Sequence, residues 1–532
     1  MDSLPLDGVT YLLPENLQDV LDLVNEAKDN KEIVCLRGSA HSFPLITTLE
    51  KGSSTGSKYK YVMLSKMFNV VITGTTVKVD AGCHLGPDPW DPTGISNLDN
   101  SLLYQLDQAN LSIPDLGGIT HQTVGGFLST ASSGGSTQFS FEDALISIDI
   151  VTCEEGTGAA VRTFTRPVPD NPDDPFYAAG VATRGLFGVI VSATFQCSPK
   201  FYIEGQEATT TEADCAIDLF GPGSNLKPSL QTFCKQTQYT RLMWWPQENV
   251  HKIVVWQAKQ TDEQGANAWA AQAYEKMGLP VQPLKPYQEV PFIMKSPTLA
   301  TLGADILFTA IGTWPDWLFE LLSDKKVEYD IIKGIIDVSF FPLILPKILD
   351  IFVTVDTPDN ANKGPQQFAD LWYTGLPMDN QISDKLFPVW FTELWIDIEQ
   401  TQQVMSDLQN FYNESTANTG AFSCEIYAAK ANSFWLSPSY NRDVIRIDVF
   451  WFGNNTGDPR QFYQKFWTRL AKYNYRPHWA KYMPDAASEQ GIDYLRANYP
   501  KWDQWMALRQ QLDPDQVFVN DYWRPYLNIP PL

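Results

Sequence analysis

The chain is short of cysteine, histidine and positive charge, and each shortage closes off a class of function. Its 532 residues hold seven cysteines, namely Cys35, Cys83, Cys153, Cys197, Cys215, Cys234 and Cys424, odd in number, widely spaced and without a Cys-x-x-Cys pair. A disulfide framework is thereby set aside, and a reducing compartment, cytoplasm or organellar lumen, is the simpler expectation. The five histidines include no pair at a metal-binding spacing and no carboxylate cluster accompanies them, so no metal site is expected. Lys and Arg total 39 against 62 Asp and Glu, a formal charge of -23. A phosphate backbone would be repelled, which excludes nucleic acid as a partner.

Long hydrophobic runs are missing as well. The most apolar region, residues 291–355, is broken by Asp305, Pro315, Asp316 and a Ser323-Asp324-Lys325-Lys326 turn, so no integral membrane span is expected. The first residues show no basic segment ahead of an apolar stretch, and no secretory signal peptide is expected in the chain as given. What the sequence does have is core material. Hydrophobic residues make up 44% of a length that suits two or three domains.

Two stretches carry the chemistry. Residues 36–44 read Leu-Arg-Gly-Ser-Ala-His-Ser-Phe-Pro and follow an apolar run, Ile33-Val34-Cys35-Leu36, short enough for a buried strand. Gly38, Ser39 and Ala40 carry so little side chain that backbone amides can approach a phosphate closely, as a nest does. His41 sets a nucleophilic nitrogen beside whatever this loop holds. Residues 116–136 contain six Gly and no Lys, Arg, Asp or Glu, so their backbone must be buried against something polar that supplies its hydrogen bonds. Ile119, Val124, Phe127 and Leu128 distinguish this stretch from a flexible linker.

Together these stretches resemble the FAD domain of the vanillyl-alcohol oxidase and p-cresol methylhydroxylase (PCMH) superfamily, from about residue 10 to 200. The resemblance implies that FAD is the cofactor, that the first loop wraps its pyrophosphate and that His41 bonds covalently to the isoalloxazine ring. It assigns cofactor contacts to Arg37, Gly38, Ser39, Ala40 and Ser42, then to Gly117, Thr123, Gly125, Gly126, Ser129, Thr130 and Gly134. Gly188 and Ile190 would add contacts from residues 183–190, where the domain closes over the flavin.

Four later motifs narrow the branch: Cys424-Glu425-Ile426-Tyr427, Trp435-Leu436-Ser437-Pro438-Ser439-Tyr440, His478-Trp479-Ala480-Lys481, and Asp513-Pro514 ahead of Phe518-Val519-Asn520. Their order is similar to that in aldonolactone and alditol oxidases, and more loosely to the covalent-flavin cholesterol oxidases. The implied fold class is α+β: a two-subdomain PCMH-type FAD-binding domain over 1–204, then a substrate-binding cap domain over 205–500. The cap would be an antiparallel sheet covered by helices, with a helical insertion at 291–355, and 501–532 would return to the FAD domain. Apolar periodicity predicts helices over 14–29, with Pro14 in the first turn, and over 401–411. A hairpin is expected at 70–79 and strands at 144–152, 242–246 and 252–256, whereas 258–290 reads as polar and irregular.

By the same resemblance Lys481 would lie at the flavin, where a fixed cation stabilises negative charge near N1 of the reduced ring. Glu425 would hold the substrate hydroxyl so that its C–H bond points at flavin N5. Tyr427 stands where polyol and lactone oxidases have Arg, and Asp448 and Phe450 align with a His and a Thr of alditol oxidases. With Trp245 and His478 they would line the substrate pocket. A phenol offers one donor and an aromatic face in place of a guanidinium, so a substrate less polar than a sugar lactone is expected. For His478 a structural role beside Trp479 stands level with a catalytic one; His84 and His121 read as packing residues and His251 as solvated. The implied reaction is oxidation of a CH–OH group in a small alcohol, polyol or lactone by hydride transfer, with molecular oxygen as acceptor and hydrogen peroxide as product. Small Gly125 and Gly126 would leave oxygen a path. A dehydrogenase that uses a quinone or cytochrome acceptor, or a flavin-binding protein without turnover, remain alternatives.

Overall fold

The computed structural model describes residues 1–42, 58–276, 355, 365–377, 389–415, 418–419, 424–452 and 458–530. The expected insertion at 291–355 lies, apart from Val355, outside the described residues.

Strands β1 (Asp2–Leu6), β2 (Val9–Leu13), β3 (Glu32–Leu36) and β4 (Lys58–Val62) form a sheet of order β1-β2-β4-β3. Its covering helix is Leu17–Asn30, which buries Val20, Leu23, Val24 and Ala27. That spacing of three and four is one helical face. The Asn16 side chain caps the helix by accepting from Asp19 N, and Lys31 ends it in the left-handed region at φ 55. Pro14 therefore precedes the helix rather than opening it, because Asn16 takes the cap position, where such a side chain contributes about 1 kcal/mol.

A second sheet, of order β5-β6-β10-β8-β9, is built from β5 (Val70–Thr73), β6 (Thr76–Asp80), β8 (Leu145–Glu154), β9 (Gly158–Thr165) and β10 (Val189–Gln196). The short pair β7 (Leu111–Ser112) and β11 (Ser198–Pro199) sits apart. The hairpin expected at 70–79 is β5–β6, turning at Gly74 with φ 62.

The third sheet has eight strands in the order β15-β12-β14-β13-β17-β18-β16-β19. They are β12 (Tyr202–Thr211), β13 (Tyr239–Trp245), β14 (Lys252–Thr261), β15 (Gln366–Leu371), β16 (Val389–Asp397), β17 (Cys424–Ala429), β18 (Val444–Phe452) and β19 (Arg476–Pro477). Every neighbouring pair is antiparallel. Side chains alternate between its faces. Leu242, Ile426, Ile445, Ile447 and Leu394 pack on one face with Val404, Met405 and Leu408 of helix Thr401–Glu414 and Phe466 of helix Pro459–Leu470. The intervening residues, Glu393, Glu425, Tyr427, Arg446 and Asp448, turn to the other face.

Residues 258–290 are not irregular throughout. Strand β14 runs to Thr261 and Glu263–Lys276 is helical. That helix buries Ala266, Ala270 and Ala273, a stripe of residues too small to give a strong hydrophobic signal. The end of the chain joins the first half: Trp479, Tyr499, Trp502, Trp505 and Trp523 share one core with Val77, Phe127 and Phe187, and Val34 N donates to Val517 O at 2.8 Å.

Candidate active site

The small-residue loop and the glycine-rich stretch meet each other. Strand β3 delivers residues 37–42, and a Cβ on Gly38 would lie 2.7 Å from Thr123 Oγ1. Thr123 in turn caps helix Val124–Ser129, its hydroxyl accepting from Gly126 N at 3.2 Å. Ser39 Oγ donates to His121 O at 2.7 Å, and Ala40 takes a left-handed φ of 60. Gly125 is pressed on Ala81, whereas a Cβ on Gly126 would meet only Thr123 Oγ1 within 4 Å and otherwise open space.

Between the stretches lies a cavity whose open space, adjoining solvent included, is about 1000 Å³. Arg37, Gly38, Ser42, Thr123, Gly125, Gly126, Ser129, Thr130 and Ile190 line it. Ser39, Ala40 and His41 belong to the same loop without lining the cavity; the half-buried His41 ring lies 5.6 Å from that of His121. Gly117, Gly134 and Gly188 stand away from it. Added Cβ atoms there would meet the Phe127 ring at 3.1 Å, Leu116 O at 2.2 Å and Val151 O at 2.1 Å, so these glycines permit close packing. Sequence reasoning missed Gly82, Arg184, Trp479, Asn520 and Trp523 as lining residues. Among the described residues no Asp or Glu lines this cavity and two arginines do, in a chain with a net charge of -23. Small residues, a hydroxyl-capped helix and a cationic lining fit a large planar ligand with an anionic linker, as FAD is.

Against the end of the second stretch lies a charged band of the eight-stranded sheet. Register sets Glu425 opposite Asp448 and Asp448 opposite Glu393, with Tyr427 opposite Arg446 and Arg446 opposite Trp395. Arg446 Nη1 donates to Gly134 O at 2.7 Å and to Ser133 O at 3.0 Å, while its Nε reaches Glu393 Oε1 at 2.5 Å. Lys481 Nζ is bonded to Glu393, lies 3.0 Å from Asp448 Oδ2 and sits 3.9 Å above the Phe391 ring. Phe450 stacks on Phe391 at 5.3 Å. Trp245 is buried at the end of β13. Lys481 stands two residues beyond Trp479, so one short segment touches both the cavity and the band.

The D-arabinono-1,4-lactone oxidase family matches residues 322–526. L-Gulonolactone oxidase of Scyliorhinus torazame is 21% identical over 443 residues, 81% of this chain and 80% of that protein. L-Gulono-1,4-lactone dehydrogenase of Mycobacterium tuberculosis is 33% identical over 106 residues, 20% of this chain and 23% of that protein. Among solved structures, cholesterol oxidase from B. sterolicum superposes with a TM-score of 0.69 at 15% identity, over 98% of this chain and 94% of that one. Over residues 322–526 the chain is similar to D-arabinono-1,4-lactone oxidases, and over nearly its whole length it shares the fold of that cholesterol oxidase. Its fold is α+β, as in that structure.

Where the resemblance led to an Arg at position 427, the Tyr present does not leave this sheet face without cations. Arg241 of β13 pairs with Glu425, and the guanidinium carbons of Arg446 and Arg241 lie 4.6 and 5.8 Å from the Tyr427 ring centre. Neither arginine, nor Glu393, was singled out from sequence. The available signal was charge inside alternating strands, as in Val444-Ile445-Arg446-Ile447-Asp448.

The band divides its protons unequally. Burial alone would raise Glu393, but Arg446, Lys481 and His478 outweigh it and hold this carboxyl far below its ordinary range. Asp448 is pushed well above its ordinary value by burial and then by Glu393, against the pull of Lys481 and Arg446. The two carboxyls are thus pushed in opposite directions, as coupled acids are. Burial lowers His478 to about 3; the neutral ring accepts from Ala480 N through Nδ1 at 3.1 Å.

Proposed function

We propose that this protein is an FAD-dependent oxidase of a lactone or related secondary alcohol, with the dinucleotide in the glycine-lined cavity and the substrate over the charged band. When bound, the flavin supplies a hydride acceptor that oxygen regenerates with release of hydrogen peroxide. The observation that carries the reading is Lys481, which joins the Trp479 end of the cavity to the Glu393–Asp448–Arg446 band.

Each residue then has a physical task. Lys481 brings fixed positive charge to the junction, where it is worth more than in water because the site is buried. Glu425, held by Arg241, accepts a hydrogen bond from the substrate hydroxyl and so orients its C–H bond. Arg241 and Arg446 beside Tyr427 offer donors to a ring or carbonyl oxygen, and Phe391 and Phe450 offer an apolar wall to the remainder. The favoured substrate therefore has a polar head and a body less hydrophilic than a sugar's. His41, three residues beyond the lining Gly38, attaches the flavin covalently. Gly126, open on its free side, leaves room for oxygen.

The test is aerobic turnover with peroxide detection on a panel of aldonolactones, alditols and alicyclic alcohols, using wild type and E425Q. Peroxide formation that E425Q lowers at least ~10²-fold supports the assignment; a panel that never bleaches the flavin absorbance sinks it. Acid precipitation checks attachment, because yellow colour must stay with the wild-type pellet and leave with the supernatant in H41A. The named dehydrogenase among the relatives favours a second reading, an electron acceptor other than oxygen. Reduction under anaerobic conditions followed by slow reoxidation in air would select it.

A further inference from the structure

Arg184 is buried, with 9% of its surface exposed, yet none of its three guanidinium nitrogens has a hydrogen-bond partner among the described residues. Its carbon lies 4.0 Å from the ring centre of Trp479, 4.6 Å from that of Trp505 and 5.2 Å from that of Trp523. Such faces stabilise a cation by about 0.5–2 kcal/mol each but accept no N–H. Burial lowers the group only to about 9, so it stays charged at neutral pH. The backbone is unusual too: Ala182, Arg184 and Gly185 take left-handed φ values of 60, 56 and 73, which costs roughly 1 kcal/mol or more for each residue with a Cβ. Two hydrogen bonds to the glycine-rich stretch pin this turn, Ala182 N to Leu128 O at 2.9 Å and Arg184 N to Ser129 O at 2.8 Å.

An unpaired buried charge is costly unless an opposite charge completes it. Arg184 lines the same cavity as Gly38 and Ser42, and among the described residues no acidic side chain lines that cavity. The other lining cation, Arg37, is already engaged by Asp7 at 3.1 Å. We propose that Arg184 is the counter-cation for the diphosphate of the bound flavin dinucleotide, fixed in place by the Trp479, Trp505 and Trp523 faces. It adds a side-chain cation to what the small-residue loop offers with backbone amides. Guanidinium geometry suits two phosphate oxygens at once. This inference rests on the flavoprotein reading above and goes beyond it by assigning the anion's partner to a residue outside both glycine stretches.

The experiment uses full-length apo-protein from a riboflavin-starved host, titrated by calorimetry with FAD, with ADP (diphosphate without the flavin ring) and with riboflavin (ring without diphosphate). R184Q is expected to weaken ADP and FAD by at least ~10-fold, about 1.4 kcal/mol, and to change riboflavin less than ~2-fold. R184K keeps the charge and should recover part of the loss. Unchanged ADP binding in R184Q overturns the proposal. So does equal weakening of ADP and riboflavin, the mark of a merely structural cage. Should R184Q fail to fold, R184K decides alone: a selective loss of ADP over riboflavin supports the proposal, and none refutes it. Wild type that binds none of the three ligands overturns the flavoprotein reading itself, an outcome distinct from a failure confined to Arg184.

Discussion

Replacing Glu393 with Gln removes a buried carboxylate that touches both Arg446 and Lys481, and the usual consequence of stranding a buried cation is a loss of about 3–5 kcal/mol. The arrangement of this band predicts a smaller loss. Burial, and then Glu393, push Asp448 toward its protonated form in the wild type; its Oδ1 has no hydrogen-bond partner among the described residues, as a neutral carboxyl tolerates better than a charged one. Once Glu393 is neutral that repulsion ends, and Asp448 can ionise against Lys481, 3.0 Å away. The negative charge moves from one carboxyl to the next and the band keeps its net charge. E393Q should therefore cost about 1–2 kcal/mol, the value of altered hydrogen bonds, and D448N about 1 kcal/mol or less. The double variant has no acid left between Arg446 and Lys481 and should lose about 3–5 kcal/mol. The excess over the two single changes, about 2 kcal/mol, is the coupling energy. Urea unfolding midpoints of the four proteins at neutral pH, read with their slopes held common, measure it. Additivity within ~0.5 kcal/mol would refute the shared-proton account.

Lys481→Met keeps the length of the side chain and removes its charge; kcat should fall by roughly 10²–10³ with a smaller change in KM, and steady-state kinetics that match wild type would remove Lys481 from the chemistry. Burial raises Asp115 to about 8 and Glu142 to about 7. The folded chain then holds protons that the unfolded chain releases, so their contribution is complete below the ordinary carboxyl range and is lost as pH rises toward 8. D115N, whose amide oxygen can still accept from Gly134 N, should flatten that alkaline decline and leave stability at pH 4 unchanged, as melting curves across pH would show. At Gly135 a Cβ would lie 2.0 Å from Thr240 O, so G135A should cost about 1–3 kcal/mol by forcing the stretch off the sheet. G126A, with only Thr123 Oγ1 nearby, should melt like wild type but take up less FAD, since its methyl enters the cavity.

Composition and local order made part of this site legible. A run with six Gly and no charge could only be buried against polar partners, and Arg446 supplies them at Ser133 and Gly134. The Arg37–Ser42 loop was readable because smallness is a local property of the chain. The charged band was not, because a strand's period places Arg446 and Asp448 on one face without saying what lies opposite them. Glu393 meets Asp448 through a register that crosses a stretch of 55 residues, and Arg241 meets Glu425 across 184. Arg184 was hidden for a similar reason. Residues 183–190 were expected to close over the flavin, but Arg184 was not singled out among them, because the three indoles that bury it come from residues 479, 505 and 523.

Those distances explain why one exchange in a motif misleads. A Tyr at position 427 reads as the loss of a cation when the strand is considered alone, since a phenol cannot replace a guanidinium. In an antiparallel sheet, however, a substrate over one strand also lies over its two neighbours, about 5 Å away on either side. Arg241 and Arg446 occupy those neighbours, within 6 Å of the Tyr427 ring centre. The positive charge of the site is thus a property of the sheet face and not of one position in it. Tyr427 changes the shape of the pocket between two guanidinium groups more than it changes the charge. Discrimination among lactones and alcohols should accordingly follow the size of the group that Tyr427 faces, whereas binding of their polar oxygens follows Arg241 and Arg446.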